Sequence, residues 1–101
     1  MRQPGVIVCG HAGVAVPITD HLLAAGAHVA VVVRDAVAAG QVAATRHGVD
    51  VVVCAGPIGD ALVEAGLETA DAVVCVEDGE MANLETALVA RRLRPDVRIV
   101  T

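Results

Sequence analysis

The stretch that decides the fold is Val6–Val16, "VIVCGHAGVAV": four apolar residues, a glycine-bearing break over Gly10–Gly13, then a return to apolar spacing. A short Val/Ile run ending at a glycine reads as a buried strand turning into a helix, because glycine tolerates the backbone that such a turn needs. The dinucleotide fingerprint asks for G-x-G-x-x-G/A at this junction. Its first glycine makes the turn, the second admits a pyrophosphate, and the third lets helix and strand touch. Gly10, Ala12 and Ala15 take those places, with Gly13 in addition. Only the first is a full match. Ala12 adds a methyl group where a phosphate would approach, and Pro17 removes a backbone donor from the first turns of the helix.

Outward from that stretch, Val-rich runs recur at His28–Val33, Asp50–Cys54, Ala72–Val76 and Val97–Val100. Continuous rather than alternating apolar runs mark strands covered on both faces, as in a parallel sheet between helices. Helical spacing falls between them, over Gly13–Ala25, Ala36–His47, Ile58–Ala65 and Glu80–Leu93, each closed near Gly26, Gly48, Gly66 or Pro95. In the last helix Leu84 and Leu88, with Ala87 and Leu93 beside them, are read as the core-facing stripe. Asp78 is read as its cap, and Arg91, Arg92 and Arg94 as cations at its negative end. The alternation predicts a single α/β domain, a doubly wound, mostly parallel five-stranded Rossmann-like sheet with its binding edge at the carboxyl ends of the strands.

With 101 residues there is one core. Its apolar fraction of 55% is high, but His28, Arg34 and Asp35 break the longest run short of a membrane span, so no membrane insertion is expected. The polar lead "MRQPG" lacks the apolar segment of a secretory signal, and a cytoplasmic location follows. A net charge of -5 and the absence of Phe, Tyr and Trp exclude the basic, stacking surface of a nucleic-acid binder. Cys9, Cys54 and Cys75 have no metal-type spacing and read as buried free thiols; no metal is expected. "EDGE", Glu77–Glu80, reads as an acidic helix start.

A carboxylate should end the second strand to hold the ribose hydroxyls, and the residue that falls there is Val33. Arg34 could serve a 2′-phosphate, or Asp35 could reach in from the next turn. No base is paired with a nucleophile, so no catalytic residue and no enzyme activity are expected.

"VIVCGHAGVAV", "HVAVVVRD" and "GVDVVVCAG…ALVEAGLETADAVVCVEDGEMANLETALVARRLRPDVRIV" together resemble the amino-terminal lobe of RCK domains, also called TrkA-N or KTN domains. The resemblance covers essentially the whole chain, with Asn83–Leu84 matching a pattern on the last helix. It implies a cytoplasmic Rossmann-type regulator of potassium channels and transporters that binds NAD(H), ATP or ADP and forms a homodimer or a larger gating ring. Carried onto this chain, the ligand would lie on the backbone of Gly10, His11, Ala12, Gly13 and Val14, flanked by Val33, Arg34, Asp35, Cys54, Ala55 and Glu77. Four positions depart from the family pattern: Ala12 for the second glycine, Val33 for the acid, Cys54–Ala55 for Gly-Asp, and Glu77 for a Ser/Thr-like residue. The alternative is a lobe that binds no nucleotide and serves as a dimerisation scaffold. Residues 1–101 are expected to be an excerpt of a longer protein.

Overall fold

In the computed structural model, which describes residues 3–101, the Val-rich runs become five parallel strands in the order β3-β2-β1-β4-β5. They are β1 (Gly5–Cys9), β2 (His28–Val33), β3 (Val49–Val53), β4 (Ala72–Cys75) and β5 (Arg98–Val100). Four helices connect them: α1 (Ala15–Ala24), α2 (Ala36–Thr45), α3 (Ile58–Glu64) and α4 (Glu80–Leu93). Met1 and Arg2, the start of the polar lead, lie outside the described residues. β1 is central, with Cys9 opposite Val32 on one side and Cys75 on the other. The order reverses at β1, so the doubly wound reading holds and the crevice beyond β1 is the switch point.

The pleat sends alternate strand residues into two cores. Val6, Val8, Val29, Val31 and Val33 meet Ala15, Ala38 and Val42 of α1 and α2 on one face. On the other, Ile7, Cys9, Ala30, Val32, Val73 and Cys75 meet Ile58, Ala61, Leu62 and Ala90 of α3 and α4. All three cysteines are free and buried. Both layers are made of aliphatic and small side chains, which suits helices carrying alanine at the contact.

Four details depart from the sequence reading. Cys54 and Val76 lie just past their strands, and α1 starts at Ala15, because Gly13 has φ 59° and helps form the turn before it. Pro17 sits in the first turn, where a missing N–H has no intrahelical partner to lose, and the helix runs on unbroken. Asp78 does not cap α4: Gly79 is the cap residue and makes no side-chain bond.

The fourth departure concerns α4's faces. Leu84 and Leu88 do not pack inward; they are 51% and 61% exposed, and Leu93 is 44% exposed. The buried positions are Thr86 and Ala90, whose short side chains let the helix lie close to the sheet. At its carboxyl end Arg94 does more than meet the dipole. Its Nη1 donates to the carbonyls of Leu67 and Glu68 at 2.6 and 2.8 Å, tying the turn after α3 to the end of α4.

Candidate functional site

The crevice is built on Gly10. It has φ 135°, and a Cβ there would come within 2.6 Å of the Val76 carbonyl oxygen, so the β1 and β4 exits can approach only with glycine at this position. The Gly10 amide donates to Val32 O at 3.1 Å and is not available to a ligand, contrary to the expected set running from Gly10 to Val14. The amides of His11, Ala12, Gly13 and Val14 find no acceptor among the described residues, while the carbonyls of Ala12 and Gly13 accept from Ala15 and Val16 to start α1. Four donors at a helix start favour an anion.

Below this loop lies a cleft of about 240 Å³, bounded by Gly10–Ala12, by Val33 at the end of β2 and Arg34 just after it, and by Val76–Gly79 after β4. Its dominant electrostatic feature is an ion pair. Arg34 Nε donates to Glu77 Oε1 at 2.7 Å and Nη2 to Oε2 at 3.0 Å, a two-pronged contact across the end of β1. The Glu77 side chain is only 9% exposed, that of Arg34 40%. This hydrogen bonding raises the guanidinium's already high pKa further. Thr86 Oγ1 lies 3.5 Å from Glu77 Oε2, and Glu85 Oε1 lies 4.0 Å from Arg34 Nη2.

The backbone of Glu77 is fixed as firmly as its side chain. Asn83 Oδ1 accepts from the Glu77 amide at 2.8 Å, and Asn83 Nδ2 donates to the Glu77 carbonyl at 3.0 Å. One side-chain amide thus satisfies both polar groups of a residue that has just left the sheet. This gives Asn83 a role that ordinary helix packing did not suggest. The sequence signal is an Asn eight residues after the end of an apolar strand, but the reciprocal bond needs the loop's path.

Six of the expected site residues therefore share one cleft: Gly10, His11, Ala12, Val33, Arg34 and Glu77. Gly13 and Val14 stand above it at the start of α1. Cys54 borders it through Arg34 Nη1, 3.7 Å from its Sγ, and gives its own thiol hydrogen to Gly56 O at 3.2 Å. Asp35 is committed elsewhere: its Oδ1 accepts from Ala38 N at 2.8 Å and caps α2. Ala55 is exposed and outside the cleft. Val33, 1% exposed, belongs to the core beneath α1 and α2 and only borders the crevice. His11 also borders a second cleft, of about 280 Å³, between α1 and α2.

Burial shapes the thiols at the same edge. Cys75 is pushed up to about 11, first by desolvation and then by the Glu77 carboxylate, and Cys9 is pushed well above the usual thiol range by the same burial. Among the described residues, no three His, Cys, Asp or Glu side chains are grouped to hold a metal ion.

The family model of the TrkA-N domain matches residues 6–101. The chain belongs to the TrkA-N domain family. Among solved structures, this TrkA-N domain is similar to the Kef CTD of Shewanella denitrificans in its AMP-bound form, with TM-score 0.79 and 21% identity, covering 94% of this chain and 56% of that one. It is similar to the TrkA-N domain of the inner membrane protein YbaL of Escherichia coli, with TM-score 0.79 and 21% identity, covering 97% and 71%. It is also similar to the NAD(P)-binding domain of an exopolyphosphatase-related protein of Archaeoglobus fulgidus, with TM-score 0.77 and 23% identity, covering 93% and 68%. The chain thus spans little more than half the length of the Kef structure. No curated protein matches it. Among the described residues, no helix is long and apolar enough to cross a membrane.

Proposed function

We propose that this TrkA-N domain is a regulatory module without catalytic chemistry that takes an adenine nucleotide or NAD(H) at the carboxyl edge of its sheet. In this reading it acts on the cytoplasmic side of a potassium channel or transporter and assembles with copies of itself. The observation that carries the reading is the loop over Gly10: the amides of the exposed residues His11 to Val14, just before α1, have no acceptor among the described residues, next to a turn that only glycine can make. The AMP named for the Kef structure and the NAD(P) named for the Archaeoglobus domain are ligands of the same chemical class.

Glu77 supplies, from β4, the carboxylate that Val33 lacks on β2. In this reading it accepts a ribose hydroxyl while still paired with Arg34, the residue that follows Val33. Its pairing with Arg34 also disfavours a 2′-phosphate, which would have to take Arg34 from a nearly buried partner.

The test is thermal unfolding followed by far-ultraviolet circular dichroism with AMP, ADP, ATP, NAD, NADH and NADP. A ligand at about 100 times its dissociation constant stabilises by roughly 2.7 kcal/mol, which for a domain of this size raises Tm by more than about 10 °C. No shift with any of them at millimolar concentration rejects the binding reading. The second reading, a lobe that only assembles, is favoured by the ion pair itself, which crosses the cleft beside Val33 and leaves about 240 Å³. It predicts a flat result for every nucleotide and an intact oligomer.

A further inference from the structure

The cleft between α1 and α2, of about 280 Å³, shares only Gly10 and His11 with the crevice beyond β1. Its size lies near the lower end of the roughly 300–1,000 Å³ typical of small-molecule sites. Val31 of β2 forms its floor, with Ala15 and Thr19 of α1 and Val42 of α2 at its sides, and all of these are buried. Thr19, 4% exposed, is the polar residue among them. Thr45 of α2 gives its hydroxyl hydrogen to the Gln41 carbonyl at 2.8 Å, but the Thr19 hydroxyl has no hydrogen-bond partner among the described residues. A buried hydroxyl is ordinarily paired. No fully enclosed side-chain N or O among the described residues is left unpaired, so this hydroxyl opens into the cleft.

The same cleft is lined by Arg46, which follows α2 and pairs with Asp20, the residue after Thr19. Arg46 Nε lies 2.9 Å from Asp20 Oδ1, and its Nη1 donates to Thr45 O at 3.1 Å. Among the described residues Arg46 Nη2 donates no hydrogen bond and Asp20 Oδ2 accepts none. The pair therefore offers one cationic donor and one anionic acceptor with no net charge, next in the chain to an open hydroxyl. We infer that this cleft binds an aliphatic α-amino acid of the size of valine or leucine. The branched side chain lies on Ala15, Val31 and Val42. The α-carboxylate accepts from Arg46 Nη2 and the Thr19 hydroxyl, and the α-ammonium donates to Asp20 Oδ2. A simple carboxylate would meet the Asp20 charge without a cation of its own, and a simple amine would meet Arg46 in the same way. A zwitterion leaves neither charge unmatched, and Asp20 disfavours a phosphate here.

Thr19, Asp20 and Arg46 do not border the crevice beyond β1, so the inference is independent of the nucleotide reading. Its test is an amide NMR titration of the 101-residue chain with L-leucine, L-valine, isocaproate and isoamylamine. Both amino acids should shift the amides around Thr19, Val42 and Arg46. Isocaproate, which lacks the ammonium, and isoamylamine, which lacks the carboxylate, should each bind at least about ten-fold more weakly than leucine. Thr19→Val keeps the volume and removes the hydroxyl. It should weaken leucine by about ten-fold while the Tm without ligand holds or rises, because that hydroxyl has no partner within the chain to lose. Arg46→Gln should weaken leucine at least as much. Absence of shifts with both amino acids at millimolar concentration overturns the site. Equal affinities for leucine, isocaproate and isoamylamine overturn the zwitterion. A Thr19→Val chain of lowered Tm and unchanged leucine affinity overturns the part given to Thr19.

Discussion

Arg34 and Glu77, 43 residues apart in sequence, meet in a two-pronged ion pair across the carboxyl end of β1, the central strand. The pair joins the exit of β2 to the exit of β4 at the point where the strand order reverses. Two positions that depart from the family pattern, Val33 and Glu77, are thereby brought to one place: an apolar residue ends β2, and the carboxylate that pairs with the next residue comes from the exit of β4.

Removing one partner should cost more than removing both. Arg34→Met leaves the nearly buried Glu77 carboxylate uncompensated. Discounted for the guanidinium's 40% exposure, the expected loss is about 1–2 kcal/mol. Arg34→Met with Glu77→Met should recover most of it. Urea unfolding of the three variants decides this, and a double variant less stable than the single one refutes it.

The turn glycines differ sharply. Gly10→Ala drives a methyl group into the Val76 carbonyl and forces an unfavourable φ, so a loss of more than about 3 kcal/mol or failure to fold is expected. Gly13→Ala, at φ 59° with nothing within 4 Å, should cost only about 1 kcal/mol. Equal Tm changes for the two variants would contradict the account.

Asn83 is judged by which of its two bonds survives. Asn83→Ala loses both contacts to the Glu77 backbone and should cost about 2 kcal/mol. Asn83→Asp keeps the acceptor for the Glu77 amide but sets a carboxylate oxygen against the Glu77 carbonyl, so it should not rescue stability at neutral pH. In acid, where the aspartic acid can donate again, it should approach the wild type.

Alkaline pH should weaken the fold through its thiols. Cys75 is held at about 11 in the folded chain against an ordinary value near 9, so above the ordinary value the unfolded chain gives up a proton that the folded chain keeps. The sign is therefore destabilising as pH rises from about 9 toward about 11, with Cys9 acting in the same direction. Cys75→Ala should flatten that slope in urea titrations at pH 8 and pH 10. An unchanged slope would show that the thiol is not its source.

The fold was legible because every strand is an uninterrupted Val-rich run and the helices close at glycine or proline. The faces of α4 were not. A Leu-x-x-x-Leu spacing normally points inward, yet here the inward positions went to Thr86 and Ala90, since close approach to the sheet and the contact with Glu77 demand small and polar groups. Arg34 was read as a candidate phosphate ligand from its place after β2. Its partner lies two strands away, and no local pattern reports a pairing set by strand order. Asp35 lies at the same strand exit, but its carboxylate caps α2, a bond that the Asp alone does not announce.

The two cores contain no aromatic ring, only aliphatic side chains, alanine and cysteine. The protein is therefore optically dark at 260, 280 and 340 nm and has no aromatic near-ultraviolet dichroism of its own. Every adenine or reduced nicotinamide carried through a purification would be seen against a blank background. The same emptiness means that concentration must be read from peptide-bond absorbance or amino-acid analysis, and that an ordinary 280 nm elution trace would pass over this protein without a peak.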